Sequence, residues 1–228
     1  MKRPKFYLLI SICFVLYSTS SRAQRSAESS VPYFRYALSG GIGTASITGD
    51  LQKKRLGAGS FLRADYYFRH GLSIGIEGQE GILRSGGSND VEVHPVTLVF
   101  FSGILGIRFE PLAFIQDDHD RRIMYRKSYL QKAANSAYIG GGIGGLFNYT
   151  RSVAVTTYNN GTFFDVIYHT DIGVDLPLSK MHPYIVDSFF WYLNINGQLN
   201  FAADSGMDGF PAKKDRYGIF SVGVKLKL

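Results

Sequence analysis

Apolar and polar residues alternate with a period of two over long segments of this 228-residue sequence. In the segment nearest the C-terminus, large apolar residues occupy every second position: Phe220, Val222, Val224, Leu226 and Leu228. The positions between them hold small or charged residues, among them Lys225 and Lys227. Successive side chains of a β-strand point to opposite faces, so this pattern predicts a strand with one apolar and one polar face.

The same alternation recurs in earlier segments, at residues 35–47, 57–68, 71–79, 93–109, 136–149, 163–176 and 190–201. Most of them reach about 10 residues, which exceeds the usual strand of a soluble sheet and equals the length that a tilted strand needs to cross a bilayer. An even number of such strands, apolar outside and polar inside, is typical of a closed membrane barrel. The sequence therefore predicts an all-β fold, an eight-stranded antiparallel transmembrane β-barrel with meander topology.

The first 23 residues have the pattern of a secretory signal peptide. A basic start precedes a short apolar run, and small residues lead to a cleavage site between Ala23 and Gln24. We therefore predict a signal peptide at 1–23, a lead-in at 24–33 and the barrel domain at 34–228. Cleavage removes four basic residues and no acidic one, so the formal charge falls from +7 to +3 and a nucleic-acid partner is disfavoured. It also removes Cys13, the single cysteine, which excludes disulfides and thiolate metal sites.

Ionisable residues collect on the polar faces of these strands and are predicted to line the lumen: Arg63, Asp65, Glu77, Arg108, Asp165, His169, Asp171, Asp175, Lys225 and Lys227. Because both signs occur together, we interpret them as a structural ion-pair cluster. Asp165, His169, Asp171 and Asp175 alone would also suit a metal or acid–base site, which is the alternative interpretation. The sequence predicts no metal and no cofactor.

Glycine and aromatic residues also sort by face. The inward face is predicted to carry glycines that make room for long charged side chains in a narrow lumen: Gly41, Gly43, Gly75, Gly106, Gly140, Gly142, Gly144, Gly173 and Gly223. Aromatic residues near strand ends are predicted to form the girdles at the two membrane interfaces: Tyr36, Tyr66, Phe68, Tyr168 and Tyr192.

Several motifs resemble those of a known family. Residues 40–51 (GGIGTASITGDL), Tyr66 to Phe68, residues 138–147 (YIGGGIGGLF) and the last segment, residues 217–228, resemble outer-membrane β-barrel proteins of the Bacteroidota, relatives of the OmpA-like eight-stranded barrels. The resemblance implies a location in the outer membrane of a Gram-negative cell, contact with its lipids, and a C-terminal signal that the barrel-assembly machinery reads. That signal would comprise Phe220, Val222, Val224, Leu226 and Leu228.

No nucleophile motif is present, and we expect a non-enzymatic barrel with a structural or loop-mediated binding role. Two alternatives stay open. A rim-located hydrolase or acyltransferase would use His94, near Asp90 and Glu92, whereas the run from Asp117 to Asp120 is more simply a solvated turn.

The other alternative is an accessory barrel of a secretion or assembly machine, recruited through the long connection at residues 111–135. A short helix is predicted within residues 121–133 of that connection. Its basic residues would contact an envelope protein or anionic lipid headgroups: Arg121, Arg122, Arg126, Lys127 and Lys132.

Overall fold

The protein is a closed barrel of eight antiparallel strands, each hydrogen-bonded to its neighbours in sequence. The computed structural model describes residues 34–48, 54–85, 96–116, 127–152, 162–178, 190–203 and 216–228. The strands are β1 (Tyr36–Thr48), β2 (Lys54–Arg69), β3 (Leu72–Ser85), β4 (Val96–Phe109), β5 (Ala137–Ser152), β6 (Thr162–Pro177), β7 (Phe190–Ala202) and β8 (Arg216–Lys227). The predicted fold class is confirmed. The predicted signal peptide and its cleavage site lie outside the described residues.

The barrel closes between its first and last strands. β1 pairs with β8 from Ala37 opposite Lys227 to Thr48 opposite Arg216, and the Arg35 amide donates to the Leu228 carbonyl. Closure leaves no open sheet edge, which a bilayer requires because it offers backbone groups no hydrogen bonds. The strands contain 12 to 16 residues, enough to cross the hydrocarbon region while tilted. Among the described residues, no helix is both long and apolar enough to span a membrane.

Apolar side chains cover the outer wall. Ile42, Ile76 and Ile172 are among the most exposed of them, which is the expected arrangement for a surface that faces lipid. Aromatic residues form one row across β4, β5 and β6, where Phe101, Phe147 and Phe164 lie in register. At the opposite end of the barrel, exposed rings form a second group: Tyr36, Tyr66, Phe68 and Trp191.

One of the predicted girdle residues is placed differently. Tyr36, Tyr66, Phe68 and Tyr168 are exposed on the outer wall, but Tyr192 is buried in the lumen. Tyr192 belongs to the same series of every second residue of β7 as Asn194 and Asn196, and this series faces inward. Its ring lies 5.2 Å from Lys227 Nζ. The expectation that Tyr192 belongs to the girdle is therefore wrong.

The lumen has two halves of different chemistry. Its charged side chains lie at the end of the barrel that holds Phe34 and Leu228, the first and last described residues, and the two-residue turn at His70 and Gly71. In the other half, an apolar layer fills the interior: Ala45, Ile47, Leu83, Leu98, Phe100, Ile104, Leu146, Ile167, Ala202, Tyr217 and Ile219. We call these parts the charged half and the apolar layer, and the end with the tight turn the turn end.

The long connection between β4 and β5 closes the turn end. Its described residues include two short helices, α1 (Pro111–Phe114) and α2 (Tyr129–Asn135). Ser128 caps α2, because its side chain accepts from the Gln131 amide while the Gln131 side chain accepts from the Ser128 amide. The helix expected in this connection is thus present over 129–135, and residues 117–126 lie outside the described part.

Candidate functional site

The charged half of the lumen gathers side chains from five strands. Alternation turns Arg63 and Asp65 of β2, Glu77 of β3 and Arg108 of β4 inward. β6 adds Asp171 and Asp175, and β8 adds Lys225 and Lys227. All eight are buried. Charges removed from water at this density require partners, so the pairing geometry determines what the site can do.

Two arginines and three carboxylates form the centre of the site. Arg63 Nε lies 2.7 Å from Asp65 Oδ1, and Arg108 Nε lies 2.5 Å from Asp171 Oδ2. Glu77 Oε2 lies 3.4 Å from both Arg63 Nη1 and Arg108 Nη2, so it bridges the two guanidinium groups. The Arg108 guanidinium also lies 4.5 Å from the centre of the Tyr138 ring. These contacts tie β2, β3, β4 and β6 together across the lumen.

A second cluster lies nearer the turn end. Lys225 Nζ is 2.7 Å from Asp175 Oδ2, and Lys227 Nζ is 3.1 Å from Glu110 Oε1. Tyr67 donates its hydroxyl to the same Glu110 oxygen at 2.9 Å, and Asn194 donates to Asp175 Oδ1 at 2.7 Å. The cluster connects the last strand to β6 and to the start of the β4–β5 connection.

Glu110 is a member that sequence reasoning missed. It follows Phe109, the last residue of both the predicted segment and β4. Glu110 is nevertheless buried and continues the series of inward residues after Arg108. Extending that series by one position would have found it. The two clusters then contain five carboxylates and four cationic side chains.

Neutral polar residues separate the ion pairs from the apolar layer. Gln79 and Gln198 donate to Glu77 Oε1 at 2.8 and 2.7 Å. Tyr217, at the edge of the apolar layer, donates its hydroxyl to Gln79 Oε1 at 2.9 Å. Carboxylates, amides and apolar groups thus follow one another along the axis, so the buried Glu77 faces hydrogen-bond donors and not hydrocarbon.

His169 and Asp165 have different surroundings. His169 Nδ1 lies 2.8 Å from Asn200 Oδ1, and His169 Nε2 lies 3.9 Å from Asp171 Oδ1, at the margin of the central cluster. Asp165 is half-buried further along β6, and the buried Ile167 lies between it and His169 on the same face. The structure therefore groups nine of the ten sequence candidates and leaves Asp165 apart.

The residues that come closest to a metal-binding set are Glu77, His169 and Asp171, which offer ligand atoms within 4.8 Å of one another. Two of the three are already engaged, because Arg108 bonds to both Glu77 and Asp171. A cation at this point would lie against a guanidinium group and repel it. The donor set therefore fits an ion-pair network better than a metal centre. Acid–base chemistry is also disfavoured, since these carboxylates are buried and paired with arginines.

Inward glycines are packed closely, for two different reasons. A Cβ on Gly140 would meet the Asp171 carboxylate, and one on Gly75 would meet the Asp65 carboxylate and, at 3.0 Å, Arg63 Nε. These two positions make room for charged side chains, as expected from the sequence. A Cβ on Gly142 or Gly223 would instead meet the backbone of the neighbouring strand. There, glycine permits close approach of strands in a narrow barrel.

The remaining candidate residues are described only in part. The rim residues Asp90, Glu92 and His94, the run 117–120 and the arginines at 121, 122 and 126 lie outside the described residues. Lys127 and Lys132 are half-buried at the turn end. The residues of the predicted C-terminal signal lie on the outer face of β8 and just after it: Phe220, Val222, Val224, Leu226 and Leu228.

Comparison with solved structures places this architecture among known barrels. The chain is similar to Neisserial surface protein A, with a TM-score of 0.50 and 12% identity over 85% of this chain and 97% of that one. The fold is that of the eight-stranded outer-membrane β-barrels. Weaker similarities link it to Ail of Yersinia pestis (TM-score 0.46, 12% identity, 86% of this chain and 100% of that one) and to OprG of Pseudomonas aeruginosa (0.43, 11%, 86% and 96%).

Sequence comparisons add no family. No protein-family model matches the chain, and no curated protein matches it. The expected membership in a Bacteroidota family therefore stays a prediction, while the resemblance to eight-stranded outer-membrane barrels is confirmed at the level of the fold.

Proposed function

We propose that this chain is a non-enzymatic protein of the Gram-negative outer membrane, a barrel with a sealed lumen and a structural or loop-mediated binding role. The observation that carries this proposal is the filling of the lumen. Arg63, Arg108 and Lys225 are each almost wholly buried, and the apolar layer occupies the half that they leave. An eight-stranded barrel is only wide enough for side chains to fill it. The ion-pair network then braces the strands, and binding partners meet the loops.

Gel mobility and conductance test this proposal together. The folded chain should migrate differently before and after boiling, because a closed barrel resists detergent until it is heated. In a planar bilayer it should add no steady ionic conductance. Absence of a mobility shift would contradict the membrane barrel, and stable channel steps would contradict the sealed lumen.

The enzyme alternative has its own test. Outer membranes from cells that express the wild type, the His94→Ala variant or the His169→Ala variant should have the same lipid acylation and protein cleavage patterns. His94 represents the rim and His169 the lumen, so a change with H94A alone would locate a reaction at the rim and refute a non-enzymatic role.

Assembly provides a further test of the outer-membrane location. The apolar face of β8 would serve as the signal read by the barrel-assembly machinery, with Phe220 as its most exposed member. The Phe220→Asp variant should lose most of its folded form in the outer membrane, whereas Ser60→Asp, on the outer wall of β2, should retain more of it. Equal levels of the two variants would argue against a role of β8 as the signal.

A further inference from the structure

The turn end carries an exposed apolar surface outside the strands. On α1 and just after it, Leu112 and Ile115 are 44% and 72% exposed; on α2, Tyr129 and Leu130 are 53% and 79% exposed. We call these four residues the base patch. Burying large apolar side chains away from water is favourable, and an exposed group of them marks an interaction site. The base patch is therefore expected to contact an apolar neighbour.

The base patch is held in a fixed position. The Glu110 amide donates to the Gly71 carbonyl at 2.7 Å, while the Glu110 side chain bonds to Lys227 inside the lumen. α2 is fixed at its other end, because the Ser136 hydroxyl donates to the carbonyl oxygens of Ala133 and Asp175. Both helices are thus attached to the barrel, and the exposure of their apolar side chains is a feature of the folded state.

The patch is continuous with the lipid-facing wall. The Phe114 ring of α1 packs at 5.2 Å against the ring of Phe109, the last residue of β4, whose side chain belongs to the outer wall. Arg69, next to the girdle residue Phe68, places its guanidinium 4.3 Å from the centre of the Phe114 ring. A surface that touches lipid along the strands therefore extends without a break onto α1.

The turn end also carries basic side chains. In the part of the turn end that the structure describes, the exposed or half-buried charged side chains are all basic: Arg35, Arg69, Lys127 and Lys132. Among the described carboxylates at this end, Glu110 and Asp175 are buried in the lumen. Apolar residues beside cations are the combination that binds the boundary between acyl chains and anionic headgroups.

We propose that the base patch inserts into the leaflet at the turn end and that Lys127 and Lys132 bind phosphates of anionic phospholipids there. The turn end is the periplasmic end, because outer-membrane barrels keep their tight turns on that side. The inference deepens the proposed function and rests on it. A lipid occupant is favoured over a protein because the patch continues the wall that lipid already covers.

Fluorescence quenching by brominated lipid tests the insertion. The chain has a single tryptophan, Trp191, which is exposed on the outer wall in the turn-end aromatic group. The full-length chain is reconstituted in phosphatidylcholine vesicles with about 30% phosphatidylglycerol, a composition that supplies anionic headgroups. The wild type is compared with a Leu130→Trp/Trp191→Phe variant, and the quencher carries bromine near the headgroup end of its acyl chains. Quenching at position 130 should be within about twofold of that at Trp191, since both would lie at the interface.

The outcomes separate this inference from the proposed function. Quenching of Trp191 with none at position 130 would overturn the inference, leave the membrane barrel intact and favour a protein partner on the patch. Absence of quenching at Trp191 itself would refute the membrane barrel, and the inference with it.

The charge requirement has a matched control. Removing phosphatidylglycerol should reduce quenching at position 130, and Lys127→Gln/Lys132→Gln in the same background should abolish that dependence. Arg84→Gln removes an exposed cation at the opposite end of the barrel and should leave the dependence unchanged. Equal behaviour of the two variants would refute the phosphate contacts.

Discussion

Arg108 of β4 and Asp171 of β6 form an ion pair over Gly140, a residue of the strand between them. Register places Arg108 opposite Gly140, and Gly140 opposite Asp171. The 2.5 Å contact between Arg108 Nε and Asp171 Oδ2 therefore crosses the inner face of β5 where that face has no side chain. The pair and the glycine form one unit, and substitutions of each should affect the other.

Adding a methyl group at Gly140 should destabilise the barrel. Gly140→Ala places a Cβ against the Asp171 carboxylate, and overpacking of this kind costs about 1–3 kcal/mol. Gly103→Ala is the matched control, because Gly103 lies on the outer wall with no atom within 4 Å of the added carbon. Unfolding by urea in detergent micelles measures both. Equal losses in the two variants would show that Gly140 is not constrained by the ion pair.

Replacing Arg108 alone should lower the free energy of unfolding more than replacing Arg108 and Asp171 together. Arg108→Met leaves Asp171 buried without its arginine and leaves Glu77 with Arg63 as its cationic partner, a change worth about 3–5 kcal/mol. The double variant Arg108→Met/Asp171→Asn should recover part of that loss, because one orphaned charge is gone. Arg84→Met, at an exposed arginine, should change the free energy of unfolding by less than about 1 kcal/mol. The single variant Asp171→Asn completes the comparison. If the losses in R108M and D171N add up to the loss in the double variant, the pairing is contradicted.

The turn end should loosen when Glu110 is replaced. Glu110→Ala removes a carboxylate that accepts from Lys227 and from the Tyr67 hydroxyl, so the start of the β4–β5 connection loses its attachment to the lumen. Limited digestion with trypsin should then cut faster after Lys127 and Lys132. Glu80→Ala removes an exposed carboxylate that accepts from Ser60 on the outer wall, and it serves as the control. The same digestion rate in E110A and the wild type would mean that Glu110 does not fix this connection.

The apolar layer should contribute to stability as a protein core does. Leu146→Ala opens a cavity at a fully buried position, with an expected cost of about 2–4 kcal/mol. Ile143→Ala, on the same strand but exposed on the outer wall, should cost less, since lipid or detergent fills the space. Urea unfolding of the two variants compares them directly, and a larger loss for I143A would refute an interior packed like a core.

The period-two alternation was sufficient to predict the strands, because one face of each strand lines the lumen and the other faces outward. It placed Arg63, Glu77 and Asp171 on the inner face without knowledge of their partners. The partners depend on closure of the barrel: Gln198 of β7 donates to Glu77 of β3 across the lumen, 121 positions away in sequence. No local pattern contains that pairing.

The apolar layer was not predicted, although its trace is visible in the sequence. In β4 and β5, inward Phe100 and Leu146 are followed directly by outward Phe101 and Phe147, so both faces are apolar and the alternation disappears. Tyr192 failed for the opposite reason. Its amphipathic ring suits an interface as well as a lumen, but the alternation of β7 puts it on the same face as Asn194 and Asn196, and the ring lies 5.2 Å from Lys227 Nζ.

The division of the lumen bears on how the chain enters a membrane. In the orientation proposed above, insertion from the periplasm would send the loop end of each hairpin first, and the interior of that end is the apolar layer. The paired carboxylates and cations follow at the turn end, close to the aqueous compartment from which the chain arrives. The ion pairs of the network can therefore form without any of their members having been carried through the hydrocarbon, which lowers the electrostatic barrier to assembly.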